Sequence, residues 1–112
     1  MDVEELRNYC LSFPGVTEGL PFGPDTLVFK SEGKIFTLVS LDNIPLSFNV
    51  KCDPEKALEL REQHSCVLPG YHMNKKYWNT VVVDGSLPAS TLKEFIAHSY
   101  DLVTTKGRSR KS

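Results

Sequence analysis

Ten consecutive residues hold most of the chemistry that this 112-residue chain could perform. Gly70-Tyr71-His72-Met73-Asn74-Lys75-Lys76-Tyr77-Trp78-Asn79 carries three aromatic rings, two adjacent lysines, a histidine and two asparagines. Cations beside rings suit a polyanion with flat bases: a lysine neutralises phosphate while a ring stacks on a base or packs on a sugar. Lys51, at the polar edge of an expected strand, could extend the same patch. The plainer reading makes Tyr71 and Trp78 rings at the border of the core with polar tips, and the lysines simply solvated. The density of such residues in one loop favours binding, because recognition groups concentrate on loops held by a rigid scaffold.

Other reactive groups do not assemble into a recognisable centre. Cys66 with His64 or His72 has the types for a thiol nucleophile and its base, but that pair needs a shaped pocket and an oxyanion donor. Cys52, His64, Cys66 and His72 could act as soft metal ligands. Their spacings match no zinc pattern, and helix geometry puts Cys52 several turns from His64. Hard-metal binding needs converging carboxylates, whereas Asp2, Glu4 and Glu5 read as surface acids of one helix. No glycine-rich phosphate loop, nucleophile elbow or paired-carboxylate motif is present. The chain is expected to be a non-enzymatic binder without cofactor or metal.

The elements that must position the cluster follow from periodicity. A helix is expected from about Asp2 to Ser12, with Asp2 capping it, Glu5 reaching back, and Val3, Leu6, Cys10 and Leu11 on one apolar face. Pro14 to Pro24 holds three prolines and three glycines and reads as a loop anchored to the core by Phe22. Strands are expected at Thr26–Lys30, Ile35–Leu41 and Leu46–Lys51, joined by short turns into a meander; the last alternates apolar Leu46, Phe48 and Val50 with polar Ser47, Asn49 and Lys51. Asp53 and Pro54 open a second helix to about Gln63 that buries Ala57, Leu60 and Leu58. Ser65 to Asn74 reads as a loop, Trp78 to Val83 as the last strand. The final helix after Pro88 sets Leu92, Phe95, Ile96, Ser99 and Val103 on one side. The order α-β-β-β-α-β-α describes an α+β domain, one antiparallel sheet with helices packed on a face.

Composition bounds the partners. A hydrophobic share of 40% and a charged share of 24% are those of an ordinary folded domain, so disorder is excluded as the main state. The last seven residues, Lys106 to Ser112, hold four of the 13 basic residues and no acid, which leaves nine bases against 14 acids in the body. The tail reads as a solvated, frayed end, with a nonspecific phosphate-binding arm as the second reading. Three widely spaced cysteines suit a reducing compartment rather than a disulfide framework. With no bilayer-length apolar run and no signal-like N-terminus, a cytoplasmic protein without membrane attachment is expected.

Several segments together resemble a known family. Pro21-Phe22-Gly23, Lys51-Cys52-Asp53-Pro54, the run from Pro69 to Thr80, Asp84-Gly85-Ser86-Leu87-Pro88 and His98-Ser99-Tyr100 are similar to the MmcQ/YjbR-like proteins, and the similarity covers nearly all of Met1 to Thr105. It implies a CyaY/frataxin-like fold and DNA binding through a double-wing arrangement of loops. The residues matching the family signature are Lys51, His72, Asn74, Lys75, Trp78 and Asn79. The wings would be the turns around Glu32-Gly33-Lys34 and Asp42-Asn43, straddling the nucleic-acid backbone; the first supplies Lys34 and the second no base.

The expectation is therefore one domain over residues 1–105, followed by a basic tail at 106–112, with a monomer favoured. Its partner would be DNA, bound weakly through Lys34, Lys51, His72, Asn74, Lys75, Lys76, Trp78 and Asn79. The second reading is a protein- or small-ligand-binding module with His72, Trp78 and Asn79 lining a shallow pocket.

Overall fold

Alternation along each strand decides what faces the helices. The computed structural model describes residues 1–70 and 73–104. Its strands are β1 (Val16–Gly19), β2 (Thr26–Ser31), β3 (Lys34–Ser40), β4 (Ser47–Lys51), β5 (Val67–Pro69) and β6 (Trp78–Val82); its helices are α1 (Val3–Leu11), α2 (Pro54–Gln63) and α3 (Ala89–Thr104). The strands form one sheet in the order β1-β2-β3-β4-β6-β5, antiparallel throughout. The expected α+β architecture and the expected order are retained, and two short strands are added at the sheet's edges.

One row of the register, Leu27–Val39–Phe48–Val81–Val67, runs across the sheet on the helix side. It meets Leu6 and Cys10 of α1 and Leu92, Phe95, Ile96 and Val103 of α3 in a single core. The stripe anticipated on α3 is buried in full. Its one polar member is used: Ser99 Oγ donates to the Phe36 carbonyl at 2.5 Å and accepts from the Lys51 amide at 2.8 Å. That hydroxyl ties α3 to two neighbouring strands, and its own burial is offset by both bonds.

The helix starts differ in detail from expectation. Asp2 caps α1 by accepting from the Glu5 amide at 2.8 Å, but the Glu5 carboxylate turns to Lys93 at 3.4 Å instead of reaching back. Asp53 makes no side-chain cap bond, so α2 begins on Pro54 alone. Leu58 is exposed, because α2 touches the sheet through Ala57 and Leu60.

Residues 16–19 become a strand through tertiary partners. Val16 to Gly19 pair with Val28 to Ser31, and Arg7 of α1 grips Glu18 with two hydrogen bonds of 2.7 and 2.6 Å. That pairing holds the Glu18 carboxyl below its ordinary range. The other expectation for this stretch is corrected: Phe22 is 64% exposed and lies on the helix-free side. No helix among the described residues is long and apolar enough to cross a membrane.

Candidate functional site

A meander alternates its turns between the two ends of a sheet. The Glu32-Gly33 turn and the turn around Asp42-Asn43 therefore lie at opposite ends of β3, separated by seven residues, or about 20 Å. The register Thr37–Val50–Asn79 continues to Lys51–Trp78, so the Lys34 turn, the end of β4 and the described residues leading into β6 share one end. Lys30, opposite Thr17 on β1 and Ile35 on β3, also lies near this end. Lys34, Lys75 and Lys76 are exposed, and Lys30 and Lys51 are half-buried. Alternation puts Lys51 and Trp78 on the helix-free face, since their neighbours Val50 and Asn79 are buried on the other.

The loop that presents the lysines is braced by a residue the sequence did not single out. Arg61 of α2 donates from Nε to Asn79 Oδ1 at 2.7 Å and from Nη2 to the carbonyl oxygens of Lys75 and, at 3.3 Å, Trp78. Asn79 in turn donates to the Ala57 carbonyl at 3.4 Å. Asn74 Oδ1 accepts from the Lys76 amide at 2.9 Å, and its carbonyl accepts from the amides of Tyr77 and Trp78. The Gly70 amide donates to the Trp78 carbonyl at 2.8 Å. A Cβ on Gly70 would come within 2.7 Å of Trp78 Cβ, so only glycine admits this approach.

These contacts sort the expected site residues. Lys34, Lys51, Lys75, Lys76 and Trp78 share one end, with the Lys76 ammonium 5.6 Å from the Tyr77 ring centroid. Asn74 shapes the loop. Asn79, 1% exposed, lies beneath the sheet with Arg61, on the face opposite Trp78. His72 and the basic tail lie outside the described residues. Lys30 was detectable: it continues the alternate positions Thr26 and Val28. Arg61, 18 positions from Asn79, carries no local signal.

The helix-free face is a groove of about 910 Å³. Its floor is two rows of the register, Thr26–Ser40–Ser47–Val82 and Leu38–Asn49–Thr80. Thr80 Oγ1 donates to Asn49 Oδ1, and Asn43 donates to Ser47 Oγ at 2.9 Å. Phe22, Ile44, Leu68 and Met73 supply apolar lining, and Lys75 is the sole charged residue along it among the described residues.

The reactive groups elsewhere are quiet. Burial pushes the Cys10 thiol up to about 12 and the Cys52 thiol up to about 11, so both stay protonated and unreactive at neutral pH. His98, half-buried, accepts from the Asp53 amide at 3.4 Å, and burial lowers its pKa.

Comparison with known proteins supplies the lineage. The family model described as YjbR matches residues 11–102. The chain is 40% identical to the uncharacterised protein YbdF of Escherichia coli O157:H7 over 101 residues, covering 89% of this chain and 82% of that protein. It is 38% identical to the uncharacterised protein YjbR of Escherichia coli K12, with coverages of 89% and 85%. Among solved structures, Deinococcus radiodurans protein DR2400, of domain DUF419, superposes with a TM-score of 0.88 at 43% identity, covering 94% of this chain and 80% of that one. A Pseudomonas syringae protein gives 0.78 at 25% identity, with coverages of 91% and 98%. The chain belongs to the YjbR family.

Proposed function

We propose that this domain binds DNA without acting on it, through the lysine-bearing end of its sheet. One observation carries the reading: Lys30, Lys34, Lys51, Lys75 and Lys76 come from β2, β3, β4 and the loop before β6, and the topology gathers them at one end. In a chain of net charge −1, these lysines outnumber the neighbouring acids Glu32 and Asp53, so this end is more basic than the molecule as a whole. Trp78 sits at the inner border of that end and would report on a ligand there. The Lys34 turn belongs to the contact surface, whereas the Asp42 turn lies about 20 Å away and carries no base. Phosphate contact is thus centred on one wing and on Lys75 and Lys76, rather than on two equal clamps.

Affinity drawn from phosphate neutralisation falls with salt, by a slope of about −0.9 in log K per log salt for each phosphate contacted on a duplex. The test is anisotropy of labelled DNA, together with Trp78 fluorescence, at low and physiological salt. Lys75→Ala with Lys76→Ala should weaken binding on every sequence and flatten the slope by about two. Unchanged affinity in that double variant would remove the loop from the interface.

A further inference from the structure

We infer that the groove on the helix-free face is a seat for unpaired bases, which makes the nucleic acid single-stranded; the inference rests on the DNA-binding reading of the lysine end. The groove joins that end through Lys75, its sole charged lining residue among those described, and none of these lining residues is a carboxylate. Phosphate contacts therefore belong to the lysines and not to the groove. What remains in it is apolar surface, mostly aliphatic with Phe22 its one described aromatic ring, and neutral hydrogen-bonding groups.

Phe22, Ile44 and Leu68 stand around the floor at 64, 97 and 45% exposure, and the groove's described lining brings no acid beside them. Beneath them half-buried Thr26, Ser40 and Asn49 present hydroxyl and amide groups that can donate or accept, whereas Ser47 and Thr80 are buried and already hydrogen-bonded to Asn43 and Asn49. A base has this composition: two apolar faces and an edge of donors and acceptors. Single strands are bound on sheet faces by stacking splayed-out bases on rings and pairing their edges with polar groups, and Phe22 is the one aromatic ring in the described lining.

A duplex fits the groove poorly. Its bases are stacked inside and its phosphates are outermost, so the groups first pressed against Ile44 and Phe22 would be anions losing water without gaining a cation. An unpaired strand reverses this, turning its backbone toward the lysines and its bases toward the floor. Adaptable hydroxyls on that floor favour tolerance of sequence over strict readout.

The test compares a labelled oligothymidylate of about 12 nucleotides, within the length one small sheet domain covers, with the same strand paired to its complement. The single strand should bind the full chain at least tenfold tighter than the duplex at low salt. Phe22→Ala with Ile44→Ala, both at exposed positions, should weaken the single strand several-fold and leave its salt slope unchanged. Equal or tighter duplex binding would overturn the inference while leaving the lysine end as a DNA site. Single-strand binding indifferent to the Phe22 and Ile44 changes would overturn the groove as its seat. Binding of neither form would overturn both readings.

Discussion

The two faces of the sheet are built from alternate residues of the same strands, yet they do different work. On the covered face Val39, Phe48 and Val81 form a row that meets α1 and α3. One residue along, Ser40, Ser47 and Val82 form a row that meets no helix and lines the groove. A face closed by helices is mainly apolar, and the polar residues on it, Thr37 and Asn79, are buried. On the other face half-buried Thr26, Ser40 and Asn49 leave hydroxyl and amide groups partly open to solvent, with no helix over them.

Phe48→Ala should break this comparison most severely. It removes a ring with no exposed surface and should cost about 3–5 kcal/mol in urea unfolding. Ser40→Ala, on the neighbouring strand and opposite face, should stay within about 0.5 kcal/mol. Equal costs would mean that the groove face is also core.

Arg61→Ala comes next. It leaves Asn79 Oδ1 without its guanidinium partner beneath the sheet and should cost about 1–3 kcal/mol. Because Arg61 braces the lysine loop, DNA affinity should drop while the salt slope keeps its value. A flattened slope would instead make Arg61 a phosphate contact.

Thr37 offers a smaller change of opposite sign. Its buried hydroxyl has no oxygen or nitrogen partner among the described residues and at best a weak contact with the Cys10 thiol. Thr37→Val should therefore be neutral or stabilising by about 1 kcal/mol in the same unfolding assay. A marked loss of stability would reveal a stronger contact for that hydroxyl.

The gentlest perturbation is acid. Burial and Lys56 lower the pKa of His98, while Asp53 and Asp101 oppose them. The unfolded chain therefore takes up this proton first as pH falls. The stability from neutral His98 is complete above about 6.5, the unfolded value, and is lost as pH drops through the lower folded value. Melting temperatures should decline below about pH 6.5, and His98→Gln should reduce that decline. An undiminished decline would assign it to other groups.

Regular elements with strong periodicity were legible. The five-residue stripe on α3 is buried as read, and the alternation from Leu46 to Lys51 correctly buries Phe48 and Val50, although Ser47, read as open, is also buried. β1 and β5 were not legible, because four and three residues flanked by proline and glycine carry too little pattern. Their extended shape comes from pairing with β2 and β6. The lysine loop was visible as a cluster, but Asn79 could not be separated from it: its burial depends on Arg61, from a different element. Phe22 was read by its apolarity alone, which cannot tell a core anchor from a groove wall.

The shortness of the sheet's outermost strands bears on how the protein behaves in company. β1 offers four residues and β5 three, and β5 closes on Pro69, which has no N–H to give. An open border with so few free backbone groups is a poor template for another chain to extend by strand addition. Such short borders disfavour fibrous self-association through added strands. They let the broad face between them stay uncovered without inviting neighbouring copies to stack edge to edge.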